Sequence, residues 1–342
     1  MPQLQVLHLV GSAQDDFHCD LSRLYAQSCL TETADAARYE YHIAYVTPDR
    51  CWRFPASLDH ADIAAAEPLS VASAIAALSA KSIDVVLPQM FCLPGMTQYR
   101  SLFDLLNIPY VGNSAELMAL TAHKAKAKAI VAAAGVKVPY GELLRPGDTP
   151  TLRPPVVIKP VSADNSMGVT LVNDMVSHDA ALATAFQYAS EVLVESYIEL
   201  GREVRCGILC QEDRLIGLPL EEYPVSEADH PIRGYADKLK RDKSGALGFA
   251  AKEKDKSWII SPSDPITECV HTVAKQCHQA LGCRHYSLFD FRIDSQGKPW
   301  FLEAGLYCSF SPSSVVATMA RAAGITLPEL LATAIGQALS GR

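Results

Sequence analysis

The chain has 342 residues, 49% of them hydrophobic and 20% charged, enough apolar surface for two or three packed domains at roughly 150 residues each. That balance excludes a mainly disordered chain, and 30 Lys+Arg against 38 Asp+Glu, a formal charge of −8, argues against nucleic-acid binding. No apolar run approaches the roughly 20 residues that span a bilayer, and Met1–Val10 lacks the basic start of a signal peptide, so the expectation is a soluble, cytoplasmic protein.

In chain order, Gln5–Val10, Ile43–Val46 and Val85–Pro88 read as strands and Asp20–Leu30 and Val71–Ser79 as helices, an alternation that argues for a parallel α/β sheet. The first strand ends in Gly11-Ser12 before a helix, a place where a ligand can meet a helix N-terminus and where an ordinary connection serves equally well. Glu116–Gly135 reads as one long helix carrying Lys124 and Lys128 four apart on one face, stopped by Gly135 and Pro139. A solvated basic face is the plain reading of such a run.

After a Pro-rich linker, Arg145–Pro155, the apolar strand Val156-Val157-Ile158-Lys159-Pro160 closes on a lysine, which is costly to bury unless something anionic meets it. The small polar loop Val161–Val169 then turns back into a second strand; it is a hairpin, or a hairpin whose backbone N–H groups cover phosphates. Glu191–Ile198 and Glu203–Leu209 read as two further strands, and the polar, charged segment Pro219–Ser261 as a lid or a mobile surface loop.

Ten cysteines are scattered without a Cys-x-x-Cys, and are expected to be reduced and mostly buried. The group Cys269, His271, Cys277, His278, Cys283 and His285 lacks the spacing of a zinc module, whereas Cys269, Val273, Ala274 and Cys277 fit one face of a helix.

The richest stretch is Tyr286–Ile293, a Gly-containing turn, then Pro299–Gly305. A hairpin centred on Gln296-Gly297 opposes residues whose numbers sum to 593, so Phe291 meets Leu302, Ile293 meets Trp300, and on the other face Asp290 meets Glu303. Two carboxylates roughly 5 Å apart repel one another and call for a shared proton or a cation. Hard oxygen donors completed by phosphates describe a Mg²⁺–nucleotide site.

Taken in order, these segments resemble the ATP-grasp superfamily, in its D-alanine–D-alanine ligase-like branch. The likeness is carried by Ile108–Asn113, Lys124, Lys159-Pro160, Asn165–Gly168, Glu195, Gly201-Arg202-Glu203, Asp290-Phe291 and Leu302-Glu303. It implies an α/β ATP-grasp fold of three parts: an N-terminal parallel α/β domain (1–115), a small central α+β domain (116–195), and a C-terminal antiparallel-sheet α+β domain (196–342) with a lid at 219–261. It implies ATP and Mg²⁺ as cofactors, with Lys124 and Lys159 on phosphates, Ser166 and Gly168 in the covering loop, Glu195 at the adenine hinge, Glu203 on the ribose, and Asp290 and Glu303 on the metal. Lys238 would reach the transferred phosphate, Ser313 and Ser314 would hold the carboxylate of an amino acid, and a homodimer is the expected assembly.

Three positions depart from that pattern. Leu288 stands where the family has an arginine, Gly305 where it has a metal-binding asparagine, and Cys308-Ser309 where it has Pro-Gly. Arg292, on the same strand face as Asp290, is the candidate to replace the arginine. The stretches His8–Ala13, Gln89–Met96 and Gly305–Ser309 resemble the ligases of mycosporine-like amino acid biosynthesis. That resemblance implies phosphorylation of the ring oxygen of mycosporine-glycine and its displacement by the amine of serine or threonine, leaving an imine. The alternatives are a D-alanine–D-alanine-type dipeptide ligase and a nucleotide-binding protein without ligase activity.

Overall fold

The computed structural model describes residues 3–163, 166–199, 201–212, 214–226, 231–233, 240–241, 247–248 and 257–341. The first unit holds β1 (Leu4–Gly11), α1 (Asp16–Glu32), β2 (Tyr39–Val46), β3 (Trp52–Arg53), α2 (His60–Ala65), α3 (Val71–Ser79), β4 (Val85–Pro88), α4 (Leu93–Met96) and α5 (Gln98–Leu105). Its sheet runs β3-β2-β1-β4, parallel except for β3. Alternate side chains of β1 separate into two cores: Leu7 and Leu9 face one way, while Val10 joins Cys19 and Ala26 of α1 on the other. Asp15 caps α1 by accepting from His18 N, so that helix end is closed by its own residue.

The expected long helix is two: α6 (Ala115–Ala122) and α7 (Lys124–Ala133), broken at His123 (φ −99°, ψ 98°). No proline or glycine breaks it; the Lys124 N–H instead donates to Val161 O at 2.9 Å. Both helices fall within the expected central domain, yet Leu117, Met118, Ala127 and Val131 bury into the C-terminal core.

The central sheet contains β5 (Gly141–Leu144), β6 (Val156–Pro160), β7 (Thr170–Val172) and β8 (Val192–Ser196), in the antiparallel order β5-β8-β6-β7. Val156, Ile158, Val192 and Val194 pack on α8 (His178–Phe186). The odd-numbered residues Lys159, Leu193 and Glu195 face the opposite side. Arg145–Pro155 joins β5 to β6 inside this sheet and is no link between domains.

The largest sheet uses β9 (Arg202–Gln211), β10 (Arg214–Gly217), β11 (Glu221–Tyr223) and, after the short pair β12 (Lys240–Arg241) and β13 (Leu247–Gly248), β14 (Trp258–Ile259). It is completed by β15 (Tyr286–Ile293) and β16 (Pro299–Ala304) in the order β14-β11-β9-β15-β16. Both ends of the expected lid loop are therefore strands, β11 and β14, paired into this sheet. Phe289, Phe291, Ile293 and Phe301 face α9 (Thr267–Leu281), while Tyr286 and Leu288 face α10 (Val315–Ala322) and α11 (Leu327–Ser340). The buried stripe of α9 is Val270, Ala274, Cys277 and Leu281, and the expected Cys269 is exposed. The histidines of that group are engaged separately: His271 with Leu218 O, His278 with Ser287 Oγ, and His285 with Gly112 N. Among the described residues no single helix is long and apolar enough to cross a membrane.

The hairpin pairs Asp290 with Glu303, but a bulge follows: Phe291 pairs with Phe301, Arg292 with Trp300 and Ile293 with Pro299. The expected Phe291–Leu302 and Ile293–Trp300 pairs do not form. The turn closes through Asp294 N–H donating to Lys298 O at 3.0 Å, which shifts the register by one, and Leu302 absorbs the difference as the extra residue. Phe301 takes the core place and Leu302 lines the cleft.

Candidate functional site

The three sheets enclose two cavities that meet. A narrow cleft of about 90 Å³ between the central and C-terminal sheets is lined by Lys159, Ser166, Glu195, Glu203 and Arg292. A chamber of about 540 Å³ opens toward the N-terminal unit, lined by Tyr25, Phe91, Arg205, Leu288, Gly305, Tyr307, Ser313 and Ser314. Lys124, Arg233, Asp290 and Glu303 line both and mark the junction.

The strand period builds the junction. On one face of the C-terminal sheet, β9 presents Glu203, Arg205 and Gly207, and β15 presents Arg292, Asp290 and Leu288 directly opposite them. Asp290 thus has Arg205 on one side and Glu303 on the other. Arg205 Nε donates to Asp290 Oδ1 at 2.6 Å, and Lys124 Nζ lies 3.6 Å from Glu303 Oε2. The row reads cation, acid, acid, cation. Each carboxylate already has its charge compensated, and the two adjacent acids offer the hard oxygen donors that suit a divalent cation.

In the cleft, Glu195 is 2% exposed and bridges two ammonium groups, Lys128 Nζ at 2.6 Å and Lys159 Nζ at 2.5 Å. This is the anion that the lysine closing β6 requires. Burial outweighs the carboxylate and lowers Lys128 to about 8, whereas the two lysines hold Glu195 below the ordinary carboxylate range despite its burial. Glu195's side chain is thereby committed to the lysines, and the strand end beyond it, Ser196 to Ile198, lines the cleft. Lys128 is no solvated residue; it is 5% exposed.

Ser166 (φ +58°) and Gly168 (φ +70°) form the turn after β6; a Cβ on Gly168 would sit 2.8 Å from Pro160 and Tyr188, so the turn closes down on the strand only with glycine there. Lys124 Nζ donates to Ala163 O at 2.7 Å, tying α7 to this loop. Glu203 faces Arg292 Nη2 at 3.3 Å and Arg233 Nη1 at 3.9 Å. Arg292 also donates to Ile198 O and Pro231 O, so its guanidinium serves the cleft and does not reach the chamber beside Leu288. Ser314 caps α10 by accepting from Ala317 N, and Ser313 bonds Ser311 Oγ at 2.9 Å. Lys238 and Asn165 lie outside the described residues.

Several residues that sequence reasoning missed complete the junction. Arg205 is one; its alternation with Glu203 on β9 was the available signal. Arg233 stacks 3.4 Å above the Tyr223 ring and lies 3.9 Å from Asp290, and the Tyr223 hydroxyl donates to Glu221. Away from the junction, Gln89 Nε2 donates to Ser309 O at 2.9 Å and its Oε1 meets His8 Nδ1 at 2.9 Å, pinning the loop before α10 to the N-terminal sheet.

Comparison with known proteins gives a consistent picture. A family profile described as "D-ala D-ala ligase C-terminus" matches residues 148–336. The chain is 32% identical over 266 residues to the vancomycin B-type resistance protein VanB of Enterococcus faecalis, covering 76% of this chain and 74% of that protein. It is 34% identical to the D-alanine–D-alanine ligase of Brucella anthropi, covering 68% and 73%. In fold it is similar to the VanG D-Ala:D-Ser ligase of Enterococcus faecalis, with TM-score 0.78, 22% identity and coverage of 98% and 100%. It is likewise similar to the D-alanine–D-alanine ligase of Bacillus anthracis complexed with ATP, with TM-score 0.72, 20% identity and coverage of 99% and 98%.

Proposed function

The chain belongs to the D-alanine–D-alanine ligase family, ATP-grasp enzymes that form a carbon–nitrogen bond with ATP and Mg²⁺, and from that premise we propose that it joins an amino-acid amine to the ring acceptor mycosporine-glycine. One observation carries the choice of acceptor. Beside Asp290 and Glu303 the chamber wall offers Leu288 and Gly305, an apolar side chain and none at all, next to the aromatic cluster Tyr25, Phe91 and Tyr307. That stretch of wall suits a planar conjugated ring, and the cationic Arg205, Arg233 and Arg321 that also line the chamber suit the carboxylates of the two substrates.

In this reading Mg²⁺–ATP supplies the phosphoryl group that turns the acceptor oxygen into a leaving group. Lys124 and Lys159, with Lys128 behind them, neutralise phosphate charge, and Asp290 and Glu303 hold the metal. Ser166 and Gly168 belong to the loop covering the phosphates, and Glu203 faces the ribose. Ser313 and Ser314, at the start of α10, receive the carboxylate of the incoming serine or threonine. The family resemblance assigns Lys238 to the transferred phosphate, and Arg292 orders the cleft through Glu203. Catalysis here is chiefly positioning and charge neutralisation, which the junction between the two cavities provides.

The test is incubation with ATP, Mg²⁺, mycosporine-glycine and serine or threonine. The expected result is phosphate release coupled to a red shift in ultraviolet absorption. A second reading, dipeptide ligation, is favoured by the likeness to the D-alanine–D-alanine ligase of Brucella anthropi. Phosphate release with D-alanine alone, and none that depends on the ring compound, would establish it and end the first.

A further inference from the structure

Transfer of a phosphoryl group to an acceptor oxygen in the chamber gathers negative charge on oxygens at the junction, in a space walled by Leu288, Leu306, Tyr25 and Phe91. Position 288 supplies no cation. Four other cationic side chains line the chamber: Lys124 and Arg233, both shared with the nucleotide cleft, Arg321, exposed on α10, and Arg205. Arg205 is the partly buried one that faces the chamber alone.

The sheet explains how it gets there. Gly207 lies opposite Leu288, and Arg205 lies opposite Asp290, one pleat further along the same face. A side chain two residues along β15 and one directly across on β9 both reach the space beside Asp290. Gly207 has no side chain, and a Cβ there would press on Leu218 Cδ1 at 3.0 Å and Met319 Sδ at 3.1 Å, so the space is left to Leu288 and Arg205. Of the Arg205 guanidinium, Nε donates to Asp290, and Cζ lies 5.4 Å from the Tyr223 ring centre. Among the described residues its Nη groups have no protein acceptor.

We propose that Arg205 is a catalytic residue that donates from β9 to the oxygens of the phosphoryl group as it passes to the acceptor and stabilises the charge they carry in the transition state. The step balances without it changing protonation state: the bond from the terminal phosphorus to ADP breaks as the bond to the acceptor oxygen forms. The inference rests on the phosphoryl-transfer reading of the site, and it holds for whichever acceptor the protein turns over.

The experiment compares wild type, Arg205→Met, Arg205→Lys and the double variant Arg205→Met/Leu288→Arg. Steady-state phosphate release is measured on the acceptor that wild type uses, and Mg²⁺–ATP affinity by equilibrium binding. Loss of one transition-state donor is expected to lower kcat for Arg205→Met by about 10²- to 10³-fold. Nucleotide affinity should stay within about threefold of wild type, as for an interaction made in the transition state. Returning a guanidinium at position 288 should recover at least about tenfold of the loss. Unchanged kcat would overturn the proposal, and so would loss of nucleotide affinity in step with kcat without rescue, which makes Arg205 a structural support of Asp290. If Arg205→Met does not fold, Arg205→Lys decides: kcat lowered about tenfold or more at unchanged nucleotide affinity supports the proposal, and any other result overturns it. Turnover of D-alanine in place of the ring would remove the acceptor assignment and leave the Arg205 comparison intact.

Discussion

Glu195→Gln removes the carboxylate that two buried ammonium groups share, with no change of shape. Glu195 is 2% exposed, and Lys128 and Lys159 lie 2.6 and 2.5 Å from its two oxygens. Removing one member of a buried ion pair costs about 3–5 kcal/mol, because the charge left behind has lost its water as well as its partner. Two lysines are left here, but Lys128 is already lowered to about 8 and can shed its proton, which keeps the loss near that range. The pH dependence follows from the same value. At pH 9 Lys128 is largely neutral in the wild type, so the substitution strands only Lys159, and the loss should shrink by at least about 1 kcal/mol relative to pH 7. Urea unfolding followed by circular dichroism at both pH values measures this. A loss under about 1 kcal/mol at pH 7, or an equal or larger loss at pH 9, would refute the view that this carboxylate neutralises both lysines.

Gln89→Leu leaves Ser309 O without its buried donor, so a destabilisation of about 1–3 kcal/mol is expected, with KM raised for the amino acid and not for ATP; an effect on ATP alone would contradict the link to the loop before α10. Burial lowers His8, His278 and His285 to about 4 each. The unfolded chain therefore takes up protons first as pH falls from about 6.5 toward 4, and stability should drop there by up to about 1.4 kcal/mol per pH unit for each histidine. Thermal midpoints measured from pH 7 to pH 4 check this, and a flat profile contradicts it. Asp290→Asn is expected to remove turnover and, because it leaves Arg205 without its paired carboxylate, to lower stability by up to about 3–5 kcal/mol; turnover retained in the folded variant would contradict the metal role.

Strand periodicity made much of the site legible. The alternation in Tyr286–Ile293 and Pro299–Gly305 is enough to put Asp290 opposite Glu303, because that pairing lies on the 593 register both before and after the turn is known in detail. It fails beyond Asp290 since the bulge at Leu302 depends on how the turn closes, and no local pattern marks it. The break at His123 was hidden for a related reason: Ala-rich sequence continues through it, and a bond from Lys124 N to Val161 O in a distant strand ends the helix. Lys159 could be read as a lysine needing an anion, but Glu195 as that anion required knowing that β8 pairs with β6. Arg292 and Arg205 share a strand face with the acids, and only the β9–β15 register distinguishes which one enters the chamber.

The most direct measurement is a structure with Mn²⁺ and a non-hydrolysable ATP analogue, using the anomalous signal of the metal. The account expects one or more ions at the junction of the two cavities, within about 2.0–2.3 Å of oxygens from both Asp290 and Glu303 and bridging to the terminal phosphate. A metal held by the phosphates and water alone, with Asp290 still on Arg205 and Glu303 still beside Lys124, would contradict it.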